Sequence, residues 1–557
     1  MDLRPIPALL VVASLSLPVL SAGAQSGAVM PAPPTARGDA IQVQELPALN
    51  PNEVGLLDEQ HGGLGLDLWR GTSLGLIGKG LPLLPEQPGW RTLRALQLRL
   101  LQSTASLPSG ILAGEPVIAL RAGKLSAMGA HGAALALLRL VPGPAMTPLL
   151  RHLVIDNALA DGAFATACDQ EAALRSAQGG DNYTIELQVF CQFAAGHGND
   201  AGLGVDLLRD QKLKDPLFFA AAEVLGGLPP VRLDAIKEFT PQSLAIASLA
   251  RLALPETLAA TAPPALLPIL AGATGAPTEL RLAAAERGIG LGSVPAAQLR
   301  ILYDALPFTP ADLAAAASES GRTVKGRALL YRAAAAEPLP VARTEMIQRG
   351  LAADAMVGTQ LYAPLLAALP ATPDLIAFAP WVVRALLAAG QTEAARPWFD
   401  LLKREGPLRI GGETTLAALL PLARLAGLVE PLSAADLIAW RQARNESPID
   451  SGKHGLFLLC LLSALGDALP EDERLALLDG PAVISGKVSR SALAIGLATA
   501  AAARRRGETV LYVLLGLGEQ RDVEPAEFAR LIGDLRAVGL DGDARALALE
   551  LALAFGI

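Results

Sequence analysis

Two cysteines stand where they could form a covalent bond. Cys168 and Cys191 are equidistant from the turn Ala177-Gln178-Gly179-Gly180-Asp181, and an antiparallel helix pair joined there would hold both at about the same height. If both face the seam, a disulfide closes the hairpin and contributes roughly 3 kcal/mol in the chain-entropy model. Two buried free thiols are the other reading. Cys460, inside the apolar run GLFLLCLLSALG, reads as core. Ser73 in Gly71-Thr72-Ser73-Leu74-Gly75 has the spacing of an elbow nucleophile, but that chemistry needs a strand, a turn and a helix, and the surroundings read as helical. The stretch from Gly480 to Lys487 has one residue too many for a phosphate loop, and Val488 stands where a metal-binding hydroxyl belongs. The Gly288 to Gly292 run lacks the preceding strand of a dinucleotide site. His61, His131, His152, His197 and His454 show no ligand spacing. His131 and His197 fall in equivalent turns between helices, where solvated residues are expected. No cofactor and no metal site follows from these residues.

The elements around the cysteines read as helices. From about Pro116 to Phe555 the chain is a succession of helical patterns separated by Gly or Pro, with Pro at first turns such as Glu115-Pro116-Val117, Thr309-Pro310-Ala311 and Glu524-Pro525-Ala526. Strand-like alternation is almost missing, so the expected class is all-α. A short phrase, a turn followed by small residues, recurs at Gly132-Ala133-Ala134-Leu135, Gly162-Ala163-Phe164-Ala165, Asn199-Asp200-Ala201-Gly202-Leu203, Gln391-Thr392-Glu393-Ala394-Ala395 and Gly542-Asp543-Ala544-Arg545-Ala546. The phrase resembles the helical hairpins of the tetratricopeptide superfamily, with the aromatic consensus mostly replaced by Leu and Ala. The resemblance implies a right-handed α-solenoid of degenerate hairpins over residues 111–557, with a bend at residues 288–292.

Residues 1–24 have the three parts of a secretory signal: Arg4, the apolar run from Ile6 to Leu20, and Ala22-Gly23-Ala24 before the cut. Export with cleavage after Ala24 follows, and in a bacterium that means the periplasm. Residues 25–55 are Pro-rich and read as a tether. Residues 56–110 read as a helical cap on the array, packed onto it through Trp69 and Trp90. Mean hydropathy is +0.39 with 52% hydrophobic but only 4% aromatic residues, which suits tight helix stacking by Ala and Leu. The uncharged stretch 257–277 contains Pro263, Pro264 and Pro268 and reads as buried helices broken at the proline pair, so no stable membrane insertion is expected. Net charge is −8 with scattered basic residues. Arg504-Arg505-Arg506, the main cluster, complements a helix C-terminus, and nucleic acid is not an expected partner.

Two further resemblances concern function. Arg444-Asn445-Glu446-Ser447-Pro448, continuing to Phe457, resembles the Glu-Ser segment of soluble lytic transglycosylases, which would make Glu446 a protonated general acid cleaving glycan. Pro448 directly after the Ser, and Leu458 where that family carries Gln, depart from the pattern. The same letters also read as a helix end followed by a Pro-containing loop. The signal, the segment NPNEVGLLDEQHGGLGLDLWRGTS, LRLLQSTASLP and the Cys168/Cys191 block are together similar to Ala/Leu-rich exported bacterial proteins labelled antifreeze-glycopeptide-related, although no Ala-Ala-Thr array is present. The expected function is a non-enzymatic periplasmic scaffold contacting protein partners in an envelope assembly, such as flagellar-motor or cell-wall machinery. A transglycosylase using Glu446, and a peptide or small ligand held in the solenoid curve, are the alternatives.

Overall fold

The structure is a computed structural model that describes residues 50–557 except 113, 231–238, 274, 446–447, 470–490 and 522–523. The signal-like residues 1–24, most of the expected tether at 25–55, Glu446 and the Gly480 to Lys487 stretch lie outside the described residues. The class is all-α: the described residues form α-helices joined by short 3-10 turns, and their one strand-like pairing is a parallel bridge between Leu57 and Ser103. Helix starts follow local chemistry. Pro148, Pro216, Pro241, Pro310, Pro340 and Pro525 open helices, where a missing N–H costs nothing. Thr147, Asp181, Asp215, Thr240, Thr309 and Ser433 cap the amides of the first turn. Within residues 257–277 the proline pair separates the Leu258–Thr261 helix from Pro264–Leu266 and Leu267–Gly272. No described helix is long and apolar enough to cross a membrane.

The recurring sequence phrase corresponds to one recurring backbone joint. Gly129, Gly162, Gly196, Gly390 and Gly539 take φ between 74° and 80°, and the next residue in each case takes φ between −82° and −101° with ψ between 49° and 59° before a helix begins. The amide after the glycine reaches five residues back, as in Ala130 to Leu125, Ala163 to Ala158, His197 to Gln192, Gln391 to Leu386 and Leu540 to Leu535. This is the Schellman closure, which needs a left-handed residue and so selects glycine. At Gly162 the reversing glycine opens the phrase read from sequence, Gly390 directly precedes it, and Gly129, Gly196 and Gly539 stand three residues before it. Gly132 and Gly542 are inside helices, and Gly129 and Gly539 make the turns.

Hairpins are stapled to each other by cations on helix ends. Lys124 donates to Leu84 O at 2.6 Å, Arg287 to Ala262 O at 2.5 Å, Arg332 to Asp304 O at 2.7 Å, and Arg536 to Ala464 O at 2.9 Å. Each acceptor lies at the C-terminal end of a helix, where carbonyls lack intrahelical donors and the helix dipole is negative.

Contacts far apart in sequence join the two ends of the described chain. Glu550 in the Asp541–Ala554 helix accepts from the amides of Arg91 at 2.7 Å and Thr92 at 2.9 Å, capping the Arg91–Gln102 helix. Arg99 holds both oxygens of Asp543 at 2.6 and 2.9 Å. Trp90 donates to Gln520 O at 3.1 Å and meets Phe528 edge-on with centroids 5.7 Å apart. Gly507 donates to Leu68 O at 2.9 Å, and a Cβ there would come within 2.6 Å of the Trp69 ring. Trp69 and Trp90 thus serve to join the N-terminal segment to the C-terminal helices.

Glu550→Ala is expected to leave two amides uncapped at a cost of about 1–3 kcal/mol. Hydrogen exchange should then quicken in 91–102 and 541–554 while residues 164–194 keep their protection. Unchanged exchange in the first two segments would show that this carboxylate does not hold the ends together.

Candidate functional site

Cys168 and Cys191 are disulfide-bonded, with Cα atoms 5.7 Å apart. The bond links Phe164–Gln178 to Asn182–Ala194 across the Gly179-Gly180 turn, and Phe164 packs edge-on against Phe190 with centroids 5.2 Å apart. Cys460 is a free, half-buried thiol whose pKa burial pushes up. Ser73 is the N-cap of Leu74–Leu83, its hydroxyl accepting from Leu76 N at 3.2 Å. The Gly288 to Gly292 run ends the Thr278–Leu291 helix, with Gly292 in the left-handed region.

His131 departs from the expected solvated turn. It opens the His131–Leu138 helix, is only 5% exposed, and has Nδ1 at 2.9 Å from Asn157 Oδ1 and Nε2 at 2.5 Å from Ala265 O. The reason is tertiary: the Pro264–Leu266 turn, more than a hundred residues downstream, docks on this joint. His197, in the equivalent joint, is exposed. A cavity of about 430 Å³ beside His131 is walled by Asp161, Ser248, Pro268 and Gln298. Both imidazole nitrogens already face oxygens, so the ring has a structural task there.

The Arg504-Arg505-Arg506 turn meets Arg70 and Arg536 around a surface depression of about 470 Å³. Arg506 is occupied by Val538 O and Leu64 O, Arg536 by Ala464 O and Asp541, and Arg505 by Glu508.

The joined ends enclose a different site. Trp90, Arg94, Leu291, Met356 and Leu553 line a cavity of about 410 Å³, with Arg91, Arg521 and Glu550 also on its wall. Segments distant in sequence therefore build it. Arg94 is 8% exposed, and one terminal nitrogen donates to Met128 O at 2.8 Å while the other is buried without a partner. Burial alone draws its pKa down to about 10, and no described carboxylate pairs with it. Arg121, 5% exposed, is equally buried but fully engaged, donating to Leu101 O, Val54 O and Ser103 O at 2.7, 2.7 and 2.8 Å.

A buried carboxyl also escaped the sequence reading. Glu186 in the Asn182–Ala194 helix is pushed up to about 8, first by burial and then by the neighbouring charge of Asp215. Asp215 itself is raised by burial and caps Phe218 N at 2.8 Å. Neither residue lines the cavities above, so their pairing bears on stability. Polar residues inside a helix leave no periodic mark when the neighbour that buries them comes from elsewhere in the chain. No family model matches the chain, and no curated protein and no solved structure matches it.

Non-reducing peptide mapping should recover Cys168 and Cys191 in one linked species. Cys168→Ser should lower the opening free energy of the hairpin by roughly 3 kcal/mol, read as faster proteolysis within 164–194. Separate, alkylatable thiols in the mature protein would refute the bond. The Glu186 effect has a definite sign. The fold keeps the proton up to about pH 8, whereas the unfolded carboxyl releases it near 4.5. Its stabilising contribution is therefore complete below about pH 4.5 and lost as pH rises through about 8. Between pH 5.5 and 8 the melting temperature should fall less in Glu186→Gln than in the parent, and identical slopes would show that Glu186 ionises normally.

Proposed function

We propose that the protein is an exported, non-enzymatic scaffold that works in the periplasm and docks protein partners of an envelope assembly. In this reading it is a right-handed superhelix of degenerate tetratricopeptide-like hairpins. The observation that carries the proposal is the closure of the ends by Glu550, Arg99 and Trp90. An array held at both ends presents a preorganised surface, and preorganisation lowers the entropy cost of binding a partner. The five equivalent glycine joints support the hairpin-repeat reading. The Cys168–Cys191 bond suits an oxidising compartment and agrees with the signal-like residues 1–24. Leu203 and Leu207, one turn apart on the Gly198–Asp210 helix, are exposed and offer apolar contact area.

The test is affinity capture of the tagged mature chain from lightly cross-linked cells, with mass spectrometry of the bound proteins and Glu550→Ala run in parallel. Reproducible envelope subunits, depleted in the variant, are the expected result. Recovery of glycan fragments alone, or of nothing, would displace the scaffold reading. Glu446→Gln would then be assayed for loss of peptidoglycan cleavage.

A further inference from the structure

Four arginines from separate parts of the chain, Arg70, Arg504, Arg506 and Arg536, line one surface depression of about 470 Å³. The rest of its wall is a single acid, Asp67, and the turn at 537–539. Asp67 pairs with Arg70 at 3.3 Å and Asp541 with Arg536 at 3.3 Å, whereas Arg504 and Arg506 make no ion pair with a described carboxylate. Arg506 spends Nε on Val538 O and one terminal nitrogen on Leu64 O, and Arg536 spends one terminal nitrogen on Ala464 O. The second terminal nitrogen of each has no hydrogen-bond partner among the described residues and stays open to solvent. Arg121, by contrast, ends every nitrogen on a carbonyl, and the spare nitrogen of Arg94 is sealed in. Arg504 is exposed and has no side-chain partner among the described residues. It takes φ 54° at a helix end where Arg505 N reaches back to Ala500 O, the position that glycine holds at the joints described above. Lys212 and Arg251 take left-handed φ at other helix ends. At this one, a side chain in place of glycine brings a free guanidinium to the depression.

We infer that this depression binds a small phosphate monoester as its dianion, the phosphoryl oxygens accepting from Arg504 and from the open terminal nitrogens of Arg506 and Arg536. Planar guanidinium forks match phosphate oxygens in geometry and charge. Two arginines without ion pairs balance a dianion, whereas a monocarboxylate would leave one of them unanswered. The volume is that of a small-molecule site, with room for a body beyond the phosphoryl group. No aromatic side chain on this wall offers a face for a base, so a polyol or sugar phosphate fits it better than a nucleotide. This inference is independent of the scaffold reading and survives its failure.

The test is isothermal titration of the full mature protein with glycerol phosphate, alongside glycerol, acetate and vesicles of phosphatidylglycerol. Expected are saturable binding of glycerol phosphate at one site per chain, no heat from glycerol, acetate weaker by at least about tenfold, and affinity that falls as salt is raised. Arg504→Gln removes no described contact, so its melting temperature should match the parent while glycerol phosphate binds about threefold to tenfold more weakly. Arg139→Gln, an exposed arginine outside the depression, should leave the affinity unchanged. The inference is overturned by absence of glycerol phosphate binding, by acetate binding as tightly, by full affinity in Arg504→Gln, or by an equal loss in Arg139→Gln. Sedimentation with the vesicles but no binding of glycerol phosphate would also overturn it and assign the arginines to a lipid surface.

Discussion

Every helix ends with carbonyl oxygens that its own turns cannot satisfy, and a chain built of many short helices has many such ends. Glycine closures answer part of this need within each hairpin, as at Gly129, Gly162 and Gly390. The rest is met from outside by cations: Arg287 on Ala262, Arg332 on Asp304, Arg536 on Ala464, Arg545 on Leu425. A guanidinium suits the task because its planar fork can reach two carbonyls at once while staying charged against the negative end of the dipole. Each such contact fixes the spacing between hairpins as well as the end of one helix. Packing of Ala and Leu between helices then follows with little freedom.

The contacts that organise the molecule act over two ranges. The Cys168–Cys191 bond and the glycine joints connect neighbours in sequence and hold single hairpins. The pairing of Glu550 with the Arg91 and Thr92 amides, and of Arg99 with Asp543, connects residues more than four hundred positions apart. Local hairpins form without much loop-closure entropy, whereas joining the ends requires the intervening array to be in place. The cavity between them is lined by residues from both ends and from the middle of the chain.

In the proposed scaffold, the end contacts would keep the binding surface in shape. The same contacts surround Arg94, one terminal nitrogen of which is buried without a partner, while burial draws its pKa down to about 10. The buried Glu186 works differently. Burial first, and then the neighbouring charge of Asp215, push its pKa up to about 8, and it sits on the Asn182–Ala194 helix that also carries Cys191.

The sequence by itself determined what depends on neighbours along the chain: helix starts at Pro and at capping Ser, Thr and Asp, the all-α class, the proline break in residues 257–277, and a pair of cysteines level with each other across a turn. Periodicity, fixed φ and loop symmetry are local properties, so they can be read without knowing the fold. The tertiary structure alone decided that His131 is buried under the 264–266 turn, that Trp69 and Trp90 meet the C-terminal helices, that scattered arginines are helix-end donors, and that Arg94 and Glu186 are buried. None of these residues differs in type or spacing from a solvated counterpart. What distinguishes them is the identity of a neighbour that is remote in sequence, and burial by such a neighbour is a property of the assembled array.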